Sequence, residues 1–311
     1  MGWVFSLRSG LSQSLRVSLP EPQGSLAEAL LLGIRSHIPD LLLTDFAKTG
    51  TRHIIAISGL HISIVAGILL SVGVWLFGRR RSLYLLLPFI AIWVYATLTG
   101  MRPSALRAAI MASIFLLAEF SGRQRSTGTA LTFAAAVMVG INPQVLWDVS
   151  FQLSFLAMMG LIFLAPPFQT WGRRRVGVVV GKGQIASATN VVIDSFAITL
   201  GAILATMPII AYNFHLISLV ALPATFFALP ALPGAIITTF LAGVIGIFAP
   251  PVAWVLGWVA WLFLSYMILV VKGFAALPFA SIQISTISAT MVWSYYIVLT
   301  IGFWLYASRR H

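Results

Sequence analysis

The sequence predicts an all-α fold, a polytopic helical bundle integral to a membrane, on three observations. Hydrophobic residues make up 59% of the 311 residues and charged residues 8%, with a mean hydropathy of +0.99; soluble domains carry roughly 25% charge. The apolar stretches run on through about 20 residues, the length a helix needs to cross a bilayer, whereas the strands of a membrane barrel alternate in blocks of roughly ten. Lipid accepts that much apolar surface only when every backbone N–H and C=O is paired within the segment, which helices achieve and open sheets do not.

Taken in order, Met1 to Pro20 carries Arg8, Arg16 and several serines, so it lacks the continuous apolar core of a cleavable signal. It reads as an amphipathic helix with Leu7, Leu11 and Leu15 on one face, ended by Pro20-Glu21-Pro22. Residues 25–34 and 41–46 are apolar but too short to span, and Arg35, His37, Asp40, Asp45 and Lys48 punctuate them. They are expected at the membrane interface. Residues 1–50 thus form an amphipathic, interfacial lead-in, and 51–311 the transmembrane domain. About nine spans are expected there, at 54–77, 83–100, 104–120, 129–146, 150–168, 190–212, 231–249, 252–271 and 288–307. Pro223, Pro230, Pro233, Pro250 and Pro251 predict broken or re-entrant helices near 213–251. The absence of cysteine excludes disulfides and thiolate metal sites.

Connections of unequal charge predict the orientation, because basic connections stay in the cytoplasm. Arg79–Arg81, Arg123 with Arg125, Arg173–Arg175 with Lys182, and Arg309 with Arg310 all follow odd-numbered spans. The opposite side has Asp148 and only isolated bases, Arg102 and Lys272. The N-terminus is therefore expected outside and the C-terminus in the cytoplasm. Anchoring beside anionic membrane lipids accounts for most of the formal charge of +12.

Three elements carry polar groups into this apolar background. In His53-Ile-Ile-Ala-Ile-Ser-Gly-Leu-His61, Ser58 and His61 share a helix face and Gly59 lets another backbone approach. Such groups at depth either line a pathway or close an interhelical hydrogen bond. In Leu98-Thr-Gly-Met-Arg-Pro-Ser-Ala-Leu-Arg107, Pro103 suits a first helical turn. Ser104 and Arg107 then share a face about one turn inside, where a guanidinium can hold a phosphate, snorkel, or pair with an acid such as Asp148. In Asn142 to Ala157, Asp148 and Gln152 lie one turn apart, and Trp147, Phe151 and Phe155 fall near one face. That arrangement serves either helix contacts or a polar groove with stacking rings. Gly177-Val-Val-Val-Gly-Lys-Gly183 is one residue short of a phosphate-binding loop and has Gly where Ser or Thr holds Mg²⁺, so it reads as a connection.

These elements, in this order, resemble the integral-membrane competence domain of the ComEC family of DNA-uptake channels. Leu30-Leu-Leu-Gly-Ile-Arg-Ser36, Phe46-Ala-Lys-Thr-Gly-Thr-Arg-His53, Leu204-Ala-Thr-Met-Pro-Ile-Ile-Ala211 and Asn213-Phe-His-Leu-Ile-Ser218 extend the likeness over roughly residues 25–235. Thr225 stands where the family often has Asn. The resemblance implies a channel that passes one DNA strand across the cytoplasmic membrane during natural transformation. By position it implies Ser58, Gly59, His61, Ser104, Arg107, Asp148, Gln152 and Ser154 as candidates along the DNA path. The implied partners are single-stranded DNA, membrane lipids, and a separate nuclease and cytoplasmic helicase or single-strand-binding protein; no cofactor is implied. Family members commonly add an outer nucleic-acid-binding barrel and a metallo-β-lactamase-like nuclease. Neither is expected here, since no His-x-His-x-Asp-His motif occurs, and the chain is expected not to be an enzyme. Two readings compete: an intramembrane hydrolase using Ser58 and His61, which has no acid nearby to orient the imidazole, and a small-solute transporter, which predicts inverted repeats.

Overall fold

The computed structural model describes residues 2–56, 59–78, 83–124, 126–180, 184–284 and 287–308. The lead-in is helical: α1 (Gly2–Ser18), α2 (Gln23–Leu32), α3 (Asp40–Lys48) and α4 (Arg52–Ile55). After it come α5 (Gly59–Phe77), α6 (Leu83–Leu98), α7 (Pro103–Phe120) and α8 (Thr127–Ile141). A 3-10 turn, Pro143–Trp147, leads to α9 (Val149–Met159), which runs through a π-helical stretch, Gly160–Leu164, into α10 (Ala165–Val180). Then follow α11 (Gln184–Phe214), β1 (Leu216–Ser218), α12 (Ala221–Ala228), α13 (Ala231–Phe248), α14 (Pro250–Ala275), β2 (Ser281–Gln283) and α15 (Ala289–Ser308).

Among the described residues, five stretches are long and apolar enough to cross a membrane: Pro103–Phe120, Val149–Arg175, Thr189–Phe214, Ala231–Phe248 and Pro250–Ala275. His61–Trp75, Leu85–Leu98, Thr127–Ile141 and Ala289–Leu305 are apolar but shorter. The expected span 129–146 is interrupted. α8 stops at Ile141 because the residue before a proline avoids helical ψ, and Asn142, at ψ 99, caps the 3-10 turn by accepting from Gln144 N at 3.1 Å. The expected span 150–168 instead runs on to Val180, continued by the π-helical stretch.

Prolines set the breaks in the later helices. Pro230 separates α12 from α13, and Pro250 and Pro251 occupy the first turn of α14, where a missing N–H costs nothing. Pro208 lies inside α11 and deprives the Leu204 carbonyl of its helical donor. The Tyr295 hydroxyl of α15 donates to Leu204 O at 3.0 Å, and Tyr296 donates to Ala205 O at 3.0 Å. The ribbon of β1 and β2 is antiparallel, pairing Leu216 with Gln283 and Ser218 with Ser281. Three-residue strands leave no readable alternation, so the sequence did not announce them.

The lead-in packs into the bundle. α1 turns Leu11 and Leu15 onto Gly243 of α13, and Ser14 fills the notch at Gly246, where a Cβ would overlap its hydroxyl. In α2 every residue from Gly24 to Leu32 is buried. Its one charge, the Glu28 carboxylate, is answered by Arg16 Nε at 2.8 Å, His37 Nδ1 at 2.8 Å and the Ser12 hydroxyl. That compensation lets so apolar a segment be enclosed with an acid in its middle.

Two apolar cores result among the described residues. The larger unites α1–α3, α5–α7, α13 and α14 around Leu26, Leu30, Phe46, Ile62, Ile92 and Leu264. The smaller joins α7, α8 and α9 through Met111, Leu131, Met138 and Phe151. α7 contributes to both, so a polar group on its inner face stands at the seam.

Candidate functional site

Arg107 is that group. Arg102 precedes the first turn of α7, Pro103 opens it, and Arg107 follows one turn inside, only 5% exposed. Its Nε donates to the Ser154 hydroxyl of α9 at 2.8 Å, and Nη1 lies 3.4 Å from Met111 Sδ. Its other side rests on α5: a Cβ placed on Gly59 would meet Nη2 at 3.1 Å and Ala108 Cβ at 3.7 Å. Three helices that are distant in sequence therefore converge on one guanidinium, which has no carboxylate partner among the described residues. An ordinary interhelical contact would use a neutral donor here, since a charge at depth is costly.

The other candidates are distributed as follows. His61 is fully buried on α5, two residues beyond Gly59, and Ser104 is half-buried in the first turn of α7. Ser58 lies outside the described residues. Asp148 does not reach Arg107. It caps α9, its Oδ1 accepting from Ser150 N at 2.7 Å and Phe151 N at 3.2 Å, which ties the carboxylate to its own helix end. Gln152 folds back to donate to Leu146 O at 2.9 Å. Phe151 and Phe155 pack against each other in the smaller core with their rings tilted by 35° and centroids 4.2 Å apart, while Trp147 projects outward. Thr225 is buried in α12, its hydroxyl without a hydrogen-bond partner among the described residues. No three His, Asp or Glu side chains gather as metal ligands would among the described residues.

Sequence reading missed one grouping. Arg35, Arg52 and Arg102 lie in three separate segments, and only the tertiary structure puts Arg102 against the α2 terminus that leads to Arg35. Arg102 Nη2 donates to Gly33 O at 2.8 Å, and Arg52 lies 5.7 Å from the Phe214 ring centroid at the end of α11.

Fold and site together define a polytopic helical membrane protein with a buried guanidinium, unpaired with any carboxylate among the described residues, where three helices meet. Comparison with known proteins makes this specific. The family model described as Competence protein matches residues 30–309, and the chain belongs to that family. It is 30% identical over 246 residues to ComE operon protein 3 of Bacillus subtilis (strain 168), covering 78% of this chain and 29% of that protein. It is 29% identical over 249 residues to the uncharacterized protein YcaI of Escherichia coli (strain K12), covering 77% of this chain and 31% of that one. Competence protein ComA of Neisseria gonorrhoeae is 27% identical over 237 residues, covering 71% and 32%. The chain thus spans under a third of the length of each of these relatives. No solved structure matches it.

Proposed function

We propose that this chain forms a conduit through which one strand of DNA crosses the cytoplasmic membrane during natural transformation, and that it acts in transport rather than catalysis. In this reading the bundle crosses nine times, with the N-terminus outside and the basic connections and C-terminus in the cytoplasm. The observation that carries it is Arg107, a buried guanidinium set between Gly59 and Ser154 with no acid to neutralise it among the described residues. Arg matches the paired oxygens of a phosphate through its planar fork, and a passing phosphodiester would supply the missing countercharge.

Each phosphate entering a cell that is negative inside works against about 2.3 kcal/mol per 100 mV if it crosses the whole field. Inward movement therefore needs a motor or a trap, a role we assign to a cytoplasmic helicase or single-strand-binding protein, with a separate nuclease removing the other strand.

Labelled-DNA uptake by cells that depend on this chain tests the reading. Arg107→Ala should lower uptake about 10- to 100-fold, the equivalent of one buried charged hydrogen bond of ~1.5–3 kcal/mol, with unchanged amounts of chain in the membrane. Arg107→Lys should restore part of it, since a point charge keeps the attraction but not the two-pronged geometry. Uptake indifferent to both changes would defeat the conduit. A covalent serine-probe adduct at Ser58 would favour an intramembrane hydrolase instead.

A further inference from the structure

The basic grouping noted above has an ordinary structural explanation for some of its members. α2 ends at Gly33 in the left-handed region, leaving carbonyls at the negative end of a helix dipole. Arg102 donates to Gly33 O at 2.8 Å and Arg8 to Leu32 O at 3.3 Å, so both complement that terminus. Arg35 and Arg52 are not explained in this way. Arg35 is half-buried; its Nε is shut off from solvent and has no hydrogen-bond partner among the described residues, an uncommon state for a buried donor. Burial, then the charges of Arg102 and Arg52, hold its guanidinium below its ordinary value, so both of the other cations act on Arg35. Arg52 is exposed, with its guanidinium 5.7 Å from the Phe214 ring centroid. No carboxylate pairs with any of the three among the described residues. Their placement is also informative: Arg52 lies seven residues before Gly59, and Arg102 five residues before Arg107, at the end of the bundle where α5 and α7 begin.

We propose that Arg35, Arg52 and Arg102 form a phosphodiester-holding site at the mouth of the Gly59–Arg107–Ser154 contact, where it takes the backbone of single-stranded DNA. This inference rests on the conduit reading and adds to it a receiving station one helical turn outside Arg107. Three cations from three segments suit a chain of successive phosphates, and the Arg52–Phe214 pair adds an aromatic face, the combination that sequence-independent single-strand binding uses.

The test uses the full chain reconstituted in discs of zwitterionic lipid, with a fluorescent oligothymidylate as the probe. The informative variant is Arg35→Gln with Arg52→Gln, because neither side chain makes a hydrogen bond that the fold relies on among the described residues; the thermal melt and elution of the protein should stay as in the parent. Oligonucleotide affinity should weaken about 10-fold, and the slope of log affinity against log salt should fall by ~1.4, two charges at roughly 0.7 each for a single strand. Arg102→Gln should add a further ~0.7 to that loss. An affinity and slope equal to the parent's overturn the site. So does a double variant that keeps oligonucleotide binding but sheds anionic phospholipid in native mass spectrometry, because the phosphate held would then be a lipid's. If the site fails in this way while Arg107→Ala still depresses uptake, the conduit stands without this receiving station. If the double variant loses oligonucleotide binding while uptake ignores Arg107, the site stands and the conduit falls.

Discussion

The guanidinium of Arg107 lies directly on the backbone of Gly59, so close that a methyl group at 59 would sit 3.1 Å from Nη2. The glycine provides the space the arginine occupies. Gly59→Ala should be tolerated, since the end of a flexible side chain can yield a few tenths of an ångström. Gly59→Leu should displace the guanidinium at a cost of about 1–3 kcal/mol, the usual cost of overpacking. Measured as the melting temperature of the solubilised chain and as DNA uptake, the leucine variant should be clearly impaired and the alanine variant near normal. Equal tolerance of both would mean the contact is loose.

Ser154 supplies the acceptor that holds Arg107 Nε at 2.8 Å. Ser154→Ala leaves a buried charged donor unanswered, at a cost of roughly 1.5–3 kcal/mol. Ser154→Thr keeps the hydroxyl and should largely restore both stability and uptake. A variant series in which alanine and threonine behave alike would show that the hydroxyl is not the group that matters.

In α11 the Leu204 carbonyl has lost its helical donor to Pro208 and takes the Tyr295 hydroxyl instead, at 3.0 Å. Interhelical hydrogen bonds inside membranes average about 0.6 kcal/mol and reach about 1.7. Tyr295→Phe should therefore lower thermal stability slightly, and Tyr295→Phe with Tyr296→Phe more, by loosening α15 from α11. Proteolysis near the α11–α15 contact should quicken in the double variant. An unchanged digestion pattern would assign the docking of α15 to packing alone.

Glu28 predicts a pH dependence. Burial by itself would raise its carboxyl, but hydrogen bonds from Arg16, Ser12 and His37 outweigh burial and hold it below the ordinary carboxylate value. A depressed folded value contributes stability that is present above the unfolded value of about 4.3 and is lost as pH falls through the folded one. The melting temperature should stay level from neutral pH to about 5 and decline below, with part of the decline absent in Glu28→Gln. At neutral pH that variant should be less stable by about 1–3 kcal/mol, because Arg16 is half exposed and can recover water. A Glu28→Gln curve parallel to the parent's through the acid range would place the titration elsewhere.

Much of the fold was legible because lipid leaves a chain few options. Long apolar runs must be helices when every backbone group needs a partner inside the segment, so composition settled the class, and Pro103 marked where α7 starts, while Pro230 and Pro250, read as breaks, fall where α13 and α14 begin. Gly59 was legible only as a place where another segment could approach and Ser154 only through the family resemblance; that Arg107 is what meets them both depends on how the helices pack. Spacing offered Asp148 and Gln152 for helix contacts or a groove, yet Asp148 bonds to backbone N–H groups of its own first turn and Gln152 to a carbonyl of the preceding 3-10 turn. Spacing reports which residues share a face; it does not report whether a nearer N–H or carbonyl takes the side chain first.

The sequence by itself determined that this protein lives in a membrane as helices and, through its motifs, which family it joins, because hydropathy and local spacing are carried by neighbours in the chain. The tertiary structure alone decided that α2 is enclosed around an answered Glu28, that Arg107 is held between α5 and α9, and that Arg35, Arg52 and Arg102 gather at one end. Those outcomes depend on helix crossings between residues tens of positions apart, and the energy of such contacts has no counterpart in local order.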